Sequence, residues 1–132
     1  MPLSGGTPSI LAGQAGVYGF ADGQGIAAKF NGQQGLVVHP FTGVVYIADT
    51  SNGRIRTCTP SGLVSTLASG VTGAAVGIVM DRAAVYIYVA CFNSNQLLQF
   101  AVSTGSRVNF AGSGAYSSID GQLLGASFSH PK

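Results

Sequence analysis

The side chains with catalytic or ligating chemistry are few: four aspartates, no glutamate, two histidines and two cysteines in 132 residues. General acid–base work needs a placed acid and a partner, and a hard-metal site needs several oxygen ligands. Asp22 and Asp120 both open the sequence Asp-Gly-Gln, a tight-bend signature. Asp49 belongs to a hairpin signature ending in Asn52-Gly53. Only Asp81 lacks a structural role in the sequence, and it is retained as a candidate rim or ligand contact. His39 and His130 each precede a proline in turn-like surroundings, and no Cys/His spacing resembles a zinc site. Cys58 and Cys91 fall at opposite ends of their hairpins, which argues against a bridge, and two cysteines do not make a disulfide framework. No catalytic residue, metal ligand or cofactor-binding residue is identified. The expectation leans away from an enzyme.

One stretch imitates a cofactor loop. Gly23-x-Gly25-x-x-Ala28 in "DGQGIAA" has the spacing of the dinucleotide fingerprint, which carries meaning only between a strand and a helix. The same stretch recurs near the C-terminus, where "LAGQAGVYGFADGQGIAAKF" (11–30) corresponds to "FAGSGAYSSIDGQLLGASF" (110–128). There Gly25 becomes Leu123, at a position where a pyrophosphate requires bare backbone. No helix is expected after Phe30, because Gly32 and Gly35 interrupt the chain. The glycines read as turn residues and no cofactor is expected.

Charged residues make up 8% of the chain, against roughly 25% in an average soluble domain. A net charge of +2 is too small to imply a polyanion partner. Arg54 and Arg56, two apart and so on one side of a strand, form the one local basic pair. They read as solvated strand residues, with contact to phosphate or to a partner's acid as the functional alternative. The N-terminal residues lack the positive start and apolar stretch of a secretory signal. The apolar run from Ala83 to Phe92 is about half a membrane span. No membrane association is expected; the compartment is left unknown, cytoplasmic by default.

Internal repetition organises the rest. "GLVVHPFTGVVYIADTSNGRIRTCTPSG" (35–62) lines up with "GIVMDRAAVYIYVACFNSNQLLQFAVSTG" (77–105), matching Gly35 to Gly77, Tyr46 to Tyr88 and Ala48 to Ala90 at an offset of 42. Apolar runs separated by turn residues predict strands over 36–38, 44–48, 55–59 and 64–67, then 78–80, 85–90, 97–101 and 108–110. Four short antiparallel strands every forty-odd residues mark a β-propeller blade.

The first unit resembles an NHL repeat, a propeller-blade family. The resemblance rests on "VVYIADTSNGRIRTCTPSGLVSTLAS" (44–69), with Tyr46, Asp49, Asn52 and Arg54 as its signature, and on the lead-in "DGQGIAAKFNGQQGL" (22–36), whose Asp22 recurs as Asp120. The second unit keeps the strands but carries Cys91, Ser94 and Gln96 where the first has Asp49, Asn52 and Arg54. Arg54 is expected to reach back to Asp49 across the hairpin, a pair worth about 0.2–1 kcal/mol.

The expected fold is therefore all-β: an incomplete β-propeller of two four-stranded antiparallel NHL-type blades with an extra N-terminal strand. Residues 1–8 form a tail, 9–34 an outer strand of a preceding blade (Ser9–Leu11) and a lead-in, 35–69 the first blade, 77–112 the second, and 113–132 a lead-in to a third. Propellers close with about 4–8 blades, so two blades expose faces that need neighbours. Those neighbours are further blades of a longer parent chain or copies in a homo-oligomer. The resemblance implies a macromolecular binding or scaffold module, with a protein partner ahead of RNA. It also admits a fragment of a lyase- or lactonase-like enzyme with its metal site elsewhere, and an RNA-binding propeller.

Overall fold

The computed structural model describes residues 8–111. Among the described residues nine strands form two antiparallel sheets, and there is no α-helix. The first sheet contains β1 (Gly23–Gln24), β2 (Gln33–Val38), β3 (Val45–Asp49), β4 (Arg54–Cys58) and β5 (Leu63–Ala68), in the order β1-β5-β4-β3-β2. The second contains β6 (Ala75–Met80), β7 (Tyr86–Cys91), β8 (Gln96–Ala101) and β9 (Arg107–Ala111), in simple meander order. The expected four strands per unit are present in both. No helix follows Ala28: the chain makes one 3-10 turn over Gly25–Ala27 and runs on into β2. Gly23 and Gly25 have φ of 148° and 57°, so the backbone itself favours glycine at both positions.

Ser9–Leu11, expected as the outer strand of a preceding blade, pairs with no strand among the described residues. The Gly13 amide bonds the Gly25 carbonyl at 3.0 Å, which ties this segment to the lead-in. The added strand is β1, which pairs with Leu63 and Val64 on the outer edge of the first sheet.

The repeat is visible in the pairing. Gly35, Leu36, Val37 and Val38 face Ala48, Ile47, Tyr46 and Val45; Gly77, Ile78, Val79 and Met80 face Ala90, Val89, Tyr88 and Ile87. Partners across a ladder share a face, so each sheet has two distinct sides. The first sheet's Tyr46, Ala48, Ile55 and Ala68 pack against the second sheet's Ile78, Ile87, Val89, Cys91, Leu98 and Phe100, forming the main core. A smaller core lies on the first sheet's other side, where Ala28 and Phe30 of the lead-in cover Ile47, Cys58 and Val64. Among the described residues no helix is long and apolar enough to cross a membrane. Asp120, His130 and the third lead-in lie outside the described residues.

Candidate functional site

Arg56 is the centre of the polar structure in the first blade. Strand alternation turns it to the side that carries Ile47 and Cys58, underneath the lead-in. Its Nη1 donates to Asp49 Oδ2 at 2.7 Å and to the Lys29 carbonyl at 2.9 Å. Its Nη2 donates to Asp22 Oδ1 at 3.0 Å and to the Ala21 carbonyl at 2.7 Å. The guanidinium also lies over the rings of Phe20 and Phe30, at 4.8 and 5.0 Å from their centroids. Asp49 in turn accepts the Asn31 amide at 2.8 Å and the Asn52 side chain at 2.8 Å, and Asn52 donates to the Gly19 carbonyl. Asp22 accepts the Thr66 hydroxyl as well. These side chains fasten the lead-in to the sheet.

Two expectations are corrected here. Arg56 is fully buried, not solvated, and it is the partner of Asp49. Arg54 does not pair with Asp49. Its Nη1 donates to the Asn52 carbonyl at 3.0 Å and its guanidinium stacks over Phe20 at 4.0 Å. Both arginines share a side of β4 as expected, but only Arg56 reaches past the hairpin to the lead-in carbonyls.

Asp81 acquires a structural role. Its Oδ1 accepts the Val85 and Tyr86 amides, each at 2.8 Å, ordering the loop between β6 and β7. His39, its equivalent in the first blade, does the same with Nδ1 toward the Phe41 and Thr42 amides. Tyr46 lies in the core between the sheets, where burial raises its phenol pKa. Cys58 and Cys91 are buried free thiols. Burial pushes both upward in pKa; for Cys91 the Ser94 hydroxyl and the Arg107 charge act in the opposite sense. Among the described residues no three His, Cys or Asp side chains come together as a metal cluster.

The ends of the strands gather a second set of residues that no sequence motif marked. The Ser51 amide bonds the Asn31 carbonyl, and the Asn93 amide bonds the Gly73 carbonyl, so the loops before and within each blade meet at one end. There Gln34, Ala74, Val76, Phe92 and Asn93 line an open cavity of about 560 Å³.

No protein-family model matches the chain, and no curated protein matches it. Among solved structures it is similar to an auxiliary nutrient binding protein from Bacteroides thetaiotaomicron VPI-5482. That likeness has 27% identity over 63% of this chain, with a TM-score of 0.53. A structural genomics protein of unknown function from the same organism is 19% identical over 80% of this chain, with a TM-score of 0.65. The chain spans about a quarter of each, 26% and 27% of their lengths. The repeated sheets and these neighbours define a β-propeller-like fold.

Proposed function

We propose that this chain is an arc of an NHL-type propeller that serves as a binding and scaffold module, completed by further blades. Those blades come from more of the same polypeptide or from other copies. One comparison carries the reading. Ile78, facing the first blade, is 7% exposed, whereas its equivalent Leu36 on the open side is 63% exposed. On the opposite sides, Ile55 is 0% exposed between the sheets and its equivalent Leu97 is 39% exposed; Val79 is 60% exposed. Leaving an aliphatic side chain of this size in water forgoes about 1.5–3 kcal/mol. Leu36, Leu97 and Val79 thus expose apolar side chains where the sheet-to-sheet interface buries Ile78 and Ile55, which supports a further blade against the parts of each outer side that the lead-in leaves uncovered.

The 27% identity to a protein described as nutrient-binding supports a binding role. Internal use of Arg56 and Asp81 leaves the sequence-derived rim candidates reduced to Arg54, which favours a protein partner over RNA. The test is thiol accessibility in the intact protein. Leu36→Cys and Val79→Cys are expected to react far more slowly with a thiol reagent than Ser103→Cys on an exposed loop. The native Cys58 and Cys91, being buried, add little background. Reaction of the first two at the rate of Ser103→Cys overturns the proposal.

A further inference from the structure

The two sheets match residue for residue, including their irregularities. Pairing steps from Gln33 opposite Asp49 to Gly35 opposite Ala48, and from Ala75 opposite Cys91 to Gly77 opposite Ala90. Gln34 and Val76 are therefore the extra residues of two β-bulges at equivalent positions. Side chains in the interface between the sheets thus have equivalents on the two outer sides, and those equivalents can be compared one by one.

On the first sheet's outer side, Leu36, Val45, Ile47 and Cys58 line a largely apolar cavity of about 280 Å³, walled by Leu11 and Phe30. Their equivalents in the second sheet are Ile78, Ile87, Val89 and Phe100. All four of these are buried in the core that Tyr46, Ala48 and Ile55 of the first sheet complete. On the second sheet's outer side, Tyr88, Ala90 and Leu97 stand where the first sheet has Tyr46, Ala48 and Ile55. Val79, paired with Tyr88, is exposed, and so is Leu97.

Gly77 is an independent sign of a contact there. A glycine inside a strand weakens it and often marks a close approach by another segment. At its first-sheet equivalent, Gly35, the approach is seen: a Cβ added there would lie 3.3 Å from Ile78 Cγ2 across the interface. At Gly77 the nearest described atom to such a Cβ is the Ala90 Cβ of the same sheet, at 3.9 Å. The first-sheet equivalent of Ile78 is Leu36, so the neighbour that Gly77 has room for is Leu36 of another molecule. We infer that a second copy of this chain docks head to tail, the Tyr88 and Gly77 face of one copy entering the Leu36 cavity of the next. One chain carries both halves of the contact. Because the two halves are different patches, repetition about an axis closes a ring. The inference rests on reading the chain as a propeller arc and names a second copy as the partner that completes it.

The experiment is light scattering on the intact protein from micromolar concentration upward. Association that grows with concentration is expected. Gly77→Val and Leu36→Arg should each give monomers with unchanged circular dichroism, and Val79→Arg is a second variant of the Gly77 face should Gly77→Val disturb the fold. Tyr88→Ala should weaken association about tenfold or more. Gly77→Val keeps an intact cavity and Leu36→Arg an intact Tyr88 face, so mixing the two should restore a heterodimer. A wild type that stays monomeric, association indifferent to these substitutions, or a mixture that remains monomeric overturns the inference. Shielded thiols at Leu36→Cys and Val79→Cys in a protein monomeric at every concentration would assign the covering blades to its own polypeptide and remove this inference alone. Reactive thiols would remove the ring reading as well.

Discussion

Arg56 and Asp49 occupy positions where the second blade has Leu98 and Cys91, also buried. A buried ion pair is weak evidence of added stability, since desolvation offsets much of its attraction. The lead-in explains why it is present. The Ala21 and Lys29 carbonyls already accept each other's amides and Asp22 the Thr66 hydroxyl; Arg56 adds a second donor to each and so ties the lead-in to the sheet. The second blade is preceded only by residues 69–74, so nothing there requires a guanidinium. Arg56→Leu is expected to cost about 3–5 kcal/mol, because it strands a buried carboxylate. Urea denaturation of Arg56→Leu, Asp49→Ala and the double variant should give a double cost below the sum of the singles by about 0.5–3 kcal/mol. Strict additivity would show that the pair does not act as a unit. The sequence showed two arginines on one side of a strand, and that much is seen. It could not show which one reaches Asp49, because the choice is made by carbonyls about thirty residues earlier that only tertiary folding brings close.

The strands themselves were legible to within a few residues, since alternation and turn residues bound each of them. The bulges were not. Gln34 and Val76 share no chemistry, and a bulge is a property of register rather than of composition. For that reason nothing in the sequence marks the cavity they line. The hairpin loops follow a shared rule: an acceptor just after β2 or β6 binds two amides of the turn, as His39 in one blade and Asp81 in the other. Asp81→Ala should lower stability by about 1–2 kcal/mol through loss of these bonds. Asp81→Asn, which keeps an acceptor, should recover most of it. Thermal melts of the two variants check this, and equal melting temperatures for wild type and Asp81→Ala would refute the role.

At the scale of the molecule the core between the sheets holds Tyr46 and Cys91 in their protonated forms, because burial raises both above their ordinary values of 10.0 and 9.0. The unfolded chain releases these protons at lower pH than the folded one does. Between the two pKa values the unfolded state therefore binds fewer protons, and stability falls as pH rises. Melting temperature should decline from about pH 9 upward, with a shallower slope in Cys91→Ala; a rise over that range would contradict the burial argument. The fastening around Arg56 has a consequence for transplanting either sheet. The first, moved without residues 20–30, would keep a guanidinium and the Asp49 carboxylate with nothing laid over them, whereas the second, with Leu98 and Cys91 at those positions, would uncover only apolar surface.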